Sequence, residues 1–330
     1  MLILAKSILG LMLAFFAAVA VGWFLIPILK KMNCKQSISS FTAFAHLSKN
    51  GTPTIGGLIF IIPTIVTMIV LYLRGSINIS YNLLIIVFVF ISYAILGFID
   101  DYLKVKAKNN EGLSIPVKLF AQVLIALMFF YIYMRGGGDA YLTITSLGLN
   151  INLGWIYGLF ILFLLVGSSN AVNLTDGLDG LAGGLSLIAF LSFGIISWGT
   201  TWISGNEEIA IFCFVLSGSI LGFLVYNTHP AKVFMGDTGS LALGATLAAV
   251  AILTKHELSL AVVGGVFVIE ALSSIIQLFS IKKFHKKVFL MAPIHHHFEK
   301  LGYKETDIVK AFLIIGFALG MLAIYYGVWM

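Results

Sequence analysis

Long apolar runs broken by short polar segments are the first pattern in this chain. Runs lie near residues 2–29, 55–73, 82–99, 117–134, 153–169, 181–199, 209–226, 239–254, 258–281 and 308–329. Each approaches the roughly 20 residues needed to cross a bilayer core as a helix. None alternates with period two, so a transmembrane barrel is not indicated. Lipid cannot satisfy the free backbone groups of an open strand, so the runs predict helices. The expectation is an all-α, polytopic membrane protein of ten spans, forming one domain over 1–330 with no soluble module between spans. The first run is too long for a signal peptide and has no convincing cleavage site, so it reads as a retained span.

Composition agrees: 60% of residues are hydrophobic and 10% charged, and the mean hydropathy is +1.04. Cys34 and Cys213 imply no disulfide framework. The formal charge is +6, and its distribution says more than its size. Sixteen of the 20 Lys and Arg fall in the alternate loops that follow spans one, three, seven and nine. By the positive-inside rule those loops are cytoplasmic and both termini lie on the outer side. The basic balance therefore reports topology and a surface for anionic lipid or nucleotide; nothing suggests nucleic-acid binding. The outer loops, 135–152 among them, look short and plain.

The cytoplasmic loops carry the chemistry. Asp100 and Asp101 close the third run. Adjacent carboxylates repel and are best tolerated beside a cation, either a divalent metal or a side chain such as Lys104. The blander reading is a polar helix end. Asn170 to Gly184 holds Asn173, Asp176 and Asp179 among glycines and has no Lys or Arg. Helix packing through small residues would explain the glycines but not the acids. In Asn227 to Ser240, Phe234 is a large ring suited to stack on a base. Asp237 opens an apolar run, where a helix N-terminus favours an anion or where it serves only as a cap. His295, His296 and His297 lie in the most basic loop. Three consecutive histidines cannot face one point on a helix, so a phosphate-handling edge fits better than a zinc site. Lys49 to Gly57, with Thr54, looks like a phosphate cradle without P-loop spacing. Glu270 lies inside the ninth run and shares a helical face with Ser273, Ser274 and Gln277, as a buried polar strip or as part of a site.

These residues resemble the polyprenyl-phosphate phospho-N-acetylhexosamine transferases over the whole chain. Ala-Pro-Ile-His-His-His-Phe-Glu resembles the muramoyl-pentapeptide branch in particular. One stretch departs from the family: Gln36 to Ala45 stands where an Arg and an Asp-Gly-Pro are usual. The resemblance implies Mg²⁺ at Asp237 with Asp100 and Asp101 close by. It implies a uridine pocket around Lys49, Asp179 and Phe234. Thr54, Asn173, Asp176, Asn227, Gln277, His295, His296 and His297 would line the rest of the nucleotide-sugar site. The polyprenyl chain would lie in an apolar groove near span nine.

The implied reaction moves phospho-N-acetylmuramoyl-pentapeptide from UDP to undecaprenyl phosphate at the cytoplasmic face of a bacterial inner membrane, releasing UMP. Asp100, Asp101, Asp237 and His296 would be catalytic, by direct attack or through an aspartyl-phosphate. Homodimerisation is a further family expectation. UDP-N-acetylglucosamine as donor keeps the chemistry but disagrees with the histidine triplet. A secondary transporter would place its ionisable groups at the midplane, often in repeated halves; here one midplane acid, Glu270, stands against many groups at the cytoplasmic edge, and no repeat is evident. A non-catalytic scaffold leaves the convergent polar loops unexplained.

Overall fold

The computed structural model describes residues 3–32, 51–107, 111–144, 148–200 and 205–329. Lys49 and the atypical Gln36 to Ala45 stretch lie outside them.

The elements are α1 (Ile3–Lys31), α2 (Leu58–Leu73), α3 (Tyr81–Ala107), α4 (Ile115–Arg135), β1 (Tyr141–Ile144), β2 (Leu149–Asn152), α5 (Ile156–Thr175), α6 (Leu181–Gly199), α7 (Asn206–Asn227), α8 (Gly236–Leu253), α9 (Glu257–Val263), α10 (Gly265–Phe284), α11 (Ile294–Lys300) and α12 (Glu305–Trp329). Among the described residues, nine helices are long and apolar enough to cross a membrane, and α2 is a shorter apolar helix of 16 residues. The protein is an all-α, multi-pass membrane protein. Every apolar run of the sequence is helical, with two differences. The ninth run breaks at Gly264 into α9 and α10. The loop that looked plain forms an antiparallel hairpin, with Tyr141 opposite Asn152 and Ile144 opposite Leu149.

α8 is the central helix: all its residues from Asp237 to Leu253 are buried. Its small side chains let α3 and α5 pack closely against it. At the crossing with α3, a Cβ on Gly97 would stand 2.1 Å from the Asp237 carbonyl oxygen. Only glycine lets the two backbones meet there. Lipid-facing side chains lie on peripheral helices, among them Phe16 and Trp23 of α1, Phe120 of α4, Phe279 of α10 and Phe317 of α12, each at least 60% exposed. At 27 residues, α3 is about 40 Å long and outreaches a hydrocarbon core of about 30 Å. The surplus carries Asp100 to Lys106 to one end of the bundle.

The segments before α2, between α3 and α4, after α5, between α7 and α8, and around α11 converge on that end. At the opposite end Lys6 pairs with Glu207 at 2.9 Å, and His256 Nε2 meets the Gly327 carbonyl at 3.2 Å. The start of α1 and the end of α12 therefore share the far end with the hairpin. There Lys255 pairs with Asp139 and lies over the rings of Tyr133 and Tyr157, at 5.4 and 5.1 Å from their centroids.

Candidate active site

Asp100, Asp101 and Asp237 bring carboxylate oxygens within 4.8 Å of one another. All three are buried. Like charges at this spacing need compensation, and two lysines supply it. Lys104 Nζ lies 2.6 Å from Asp100 Oδ2 and 3.0 Å from Asp237 Oδ2. Lys104 reaches Asp100 as its i+4 neighbour on α3. Lys118, from the first turns of α4, also bonds Asp237 Oδ2 and stands 3.9 Å from Asp100 Oδ2. The other oxygen of Asp237 accepts a hydrogen bond from Asn173 Nδ2 at 2.8 Å, and the same amide reaches Ser240 Oγ at 2.8 Å.

The three acids are not equivalent. Asp101 accepts from the backbone N–H of Asp237 at 3.1 Å and of Thr238 at 2.9 Å, and from the Thr238 hydroxyl at 2.6 Å. It therefore satisfies the free donors at the N-terminus of α8, as a capping side chain does, but from another helix. Gly236 makes this approach available. Its φ is +72°, and a Cβ there would stand 2.4 Å from Asp101 Oδ2 and 2.7 Å from Thr54 Oγ1. Asp100 Oδ1 accepts the Leu113 N–H at 2.8 Å, which folds the α3–α4 connection over the site. Asp100 and Asp237 are left as the carboxylates that face the lysines.

The remaining predicted residues surround this centre in distinct ways. The strand-like segment before α2 is fixed to the α7–α8 loop: Gly56 N–H donates to the Phe234 carbonyl and Phe234 N–H to the Pro53 carbonyl, each at 2.8 Å. Thr54 is thereby buried beside Gly236, and Phe234 is half-buried on the same loop. Asp176 is the C-cap residue of α5 and is not one of the three clustered acids. Asp179 belongs to a second group with His229 and Glu305. Its Oδ2 meets His229 Nδ1 at 3.1 Å and accepts the Ala231 N–H at 3.0 Å. Its own N–H donates to Glu305 Oε1 at 2.7 Å.

Two amides are engaged with backbone at both ends. Asn227 accepts from Gly180 N–H at 3.1 Å and donates to the Val233 carbonyl at 2.9 Å. Gln277 accepts from the N–H groups of Val288 and Phe289, both at 3.0 Å, and donates to the Phe289 carbonyl at 2.9 Å. They hold loops together. The histidines split three ways along α11. His295 is fully buried with Nδ1 3.0 Å from Glu270 Oε2. His296 Nδ1 stands 2.6 Å from Glu299 Oε2, and His297 Nδ1 accepts the Leu290 N–H at 3.1 Å. His295 meets the α5–α6 loop at Gly177, where a Cβ would stand 2.3 Å from Nε2. Asn173, one helical turn before Gly177, is the residue that bonds Asp237. The histidine helix and the acidic centre thus brace the same segment.

Lys118 went unnoticed in the sequence because it reads as one more cytoplasmic charge. Its signal was its place in the first turn of a span, on the side where the Asp pair ends α3.

Residues 83–255 match the model of glycosyl transferase family 4, a segment that contains the acid triad, both lysines and Asn173. The chain belongs to glycosyl transferase family 4. It is similar along nearly its whole length to proteins named phospho-N-acetylmuramoyl-pentapeptide-transferase. That of Geobacillus sp. (strain WCH70) is 47% identical over 322 residues, 98% of each chain. That of Oceanobacillus iheyensis is 44% identical over 327 residues, 99% of each. That of Bacillus subtilis (strain 168) is 45% identical over 320 residues, 97% of each. Within glycosyl transferase family 4 this chain is an enzyme of the transferase class, and its buried acids form a group compatible with a divalent metal.

Proposed function

We propose that the protein transfers phospho-N-acetylmuramoyl-pentapeptide from its UDP-activated form to undecaprenyl phosphate. UMP is released and the first lipid intermediate of peptidoglycan synthesis is formed. The observation that carries this reading is the meeting of Asp100, Asp237, Lys104 and Lys118 at one end of a membrane bundle. The full-length likeness to the named transferases supports the choice of sugar.

In this reading an oxygen of the lipid phosphate forms a bond to the β-phosphorus of the UDP-sugar. The bond from that phosphorus to the bridging oxygen breaks, and the oxygen leaves with UMP. Such transfers depend on positioning and charge neutralisation more than on covalent chemistry. Lys104 and Lys118 hold phosphate oxygens, and Asp100 orients the lipid phosphate and takes its proton where it carries one. Asn173 fixes Asp237, and Asp101 fixes the helix end on which Asp237 stands. His296 and its partner Glu299 lie on the short helix that braces the α5–α6 loop, suited to steady charge on the nucleotide side. The donor set suits Mg²⁺, which commonly takes one or two carboxylates and completes its shell with water and substrate phosphate. Asp237 and Asp100 would hold it, and it would supply charge neutralisation to the diphosphate.

The sequence segments read as cytoplasmic from their excess of Lys and Arg include those that carry Asp100, Lys104, Lys118 and Asp237, which supports a cytoplasmic site in the inner membrane of a bacterium. Purified protein incubated with Mg²⁺, undecaprenyl phosphate and UDP-N-acetylmuramoyl-pentapeptide should release UMP and form a lipid-linked sugar. No UMP from this donor, with release from UDP-N-acetylglucosamine instead, would overturn the choice of sugar. No release from either would overturn the transfer.

A further inference from the structure

We propose that the β1–β2 hairpin is a lipid anchor, whose apolar face dips into the bilayer leaflet at the end of the bundle opposite the acid centre. The strand pairing defines that face. Residues opposite one another in an antiparallel pair share a side of the sheet, and successive residues alternate between sides. Leu142 pairs with Ile151 and Ile144 with Leu149, so four aliphatic side chains stand on one face. Tyr141, Thr143, Asn150 and Asn152 stand on the other. Leu149 and Ile151 are 48% and 43% exposed, so the protein leaves the apolar face open along β2.

The helices on either side set the height of the hairpin. α4 ends at Arg135, whose guanidinium lies over the exposed Tyr131 ring, 5.8 Å from its centroid. α5 begins after Trp155, which is 77% exposed. Aromatic and basic side chains at the ends of spans mark the headgroup level. Trp155, Leu159 and Phe163 follow one another at i, i+4 and i+8, all exposed, so the lipid-facing stripe of α5 starts at Trp155. Asn152 precedes Trp155 by three residues, at most about 10 Å of chain. β2 therefore stays close to the lipid boundary, and its apolar face continues the stripe. The base of the hairpin is fixed there: Leu153 N–H donates to the Ala140 carbonyl at 3.0 Å, and the Tyr141 carbonyl accepts Lys255 Nζ at 3.4 Å.

The chemistry of the segment points the same way. From Ala140 to Trp155 the chain has no Asp, Glu, Lys or Arg. A two-stranded hairpin is marginal at best in water, and exposed strands are normally guarded by charge. Neither strand here carries any. Thr, Asn, Tyr and Trp beside aliphatic residues suit the zone between headgroups and hydrocarbon. Nor does the bundle take up the apolar face. On the β1 side, Ile144 borders a cavity of about 140 Å³ whose apolar lining includes Leu258 and Val262 of α9 and Tyr326 of α12. Leu258 and Tyr326 are themselves exposed, so hydrocarbon can reach this gap too. An uncharged face selects hydrocarbon and no particular headgroup. Its partner is the bilayer itself, whatever the charge of the lipid.

The test is a pair of spin labels on the full-length protein in nanodiscs, in a Cys34→Ser background; Cys213 is buried. Ile151→Cys and Asn150→Cys put a nitroxide on the two faces of β2, both at exposed positions where folding is not at stake. Molecular oxygen concentrates in hydrocarbon, and a neutral nickel chelate stays in water. The ratio of oxygen-induced to nickel-induced relaxation should be at least about threefold higher at Ile151→Cys than at Asn150→Cys. The contrast should be the same in phosphatidylcholine discs and in discs containing phosphatidylglycerol. Equal access of the nickel chelate to both labels would overturn the anchor. Protection confined to phosphatidylglycerol would overturn it as well, since the contact would then be led by charge. So would shielding of Ile151→Cys from both reagents with spin–spin broadening, which would place a second copy of the chain on this face. None of these outcomes depends on the transfer reading.

Discussion

Asp101 accepts the backbone N–H of Asp237 at 3.1 Å and so holds the end of the helix on which that carboxylate stands. Adjacent residues on α3 therefore do different work. Asp100 faces the two lysines, and Asp101 faces the N-terminus of α8. This division yields a contrast between two like substitutions. Asp101→Asn removes a charged acceptor from three donors at a buried helix end. It should cost about 1–3 kcal/mol of stability and lower the thermal unfolding midpoint in detergent, with activity falling as α8 shifts. Asp237→Asn should leave the midpoint near wild type while turnover falls at least about a hundredfold. Equal midpoints for both variants would show that Asp101 is not a capping residue.

Gln277 holds the turn after α10 rather than reaching openly into a pocket. Among the described residues its bonds go to Val288 and Phe289, and Ser280 adds a bond to the Lys286 carbonyl at 2.8 Å. Gln277→Ala should loosen this turn, which carries exposed Lys286 and Lys287. Limited trypsin digestion should cut there several-fold faster than in the wild type, with the KM for the UDP-sugar rising as a consequence. A raised KM with unchanged digestion would mean that Gln277 meets the nucleotide directly.

At the far end, Lys255 anchors the hairpin end of the bundle. Burial disfavours its charge, but hydrogen bonds to Asp139 and Tyr133 outweigh that and raise its pKa above the ordinary lysine value. A raised pKa means that the stabilisation is complete below the unfolded-state pKa and fades only as pH climbs through the folded-state value. Lys255→Met should therefore lower the thermal midpoint by a constant few degrees from about pH 7 to about pH 10, the gap narrowing only above that. Turnover at neutral pH should be unaffected, since Lys255 stands at the opposite end from the acids. A gap that closes already near neutrality would contradict the pairing.

The membrane helices were legible because hydropathy in a bilayer leaves the backbone one choice. The break at Gly264 was not, since Val262, Val263 and Val266 keep the run apolar on both sides of it. The hairpin at Tyr141–Ile144 and Leu149–Asn152 was missed because its strands are four residues each and mostly outside the buried core. Asp100, Asp101 and Asp237 stood out as acids beside apolar runs, and the structure brings them together. Their separate tasks did not show, because which of two neighbours on α3 meets α8 depends on the close crossing at Gly97. Asn227 and Gln277 looked like ligand-reading amides, yet both are spent on backbone. An amide signals a hydrogen bond without saying to what. Lys118 was hidden for a related reason: its charge gains meaning only when α3 and α8 bring Asp100 and Asp237 to it.

If carboxylates from α3 and α8 form one divalent-cation centre, Mn²⁺ titrated into the full-length protein without any substrate and followed by electron paramagnetic resonance should show one tight ion per chain that Mg²⁺ displaces. Binding should weaken at least about tenfold in Asp237→Asn and in Asp100→Asn. Tight, Mg²⁺-displaceable binding that survives both substitutions would contradict it.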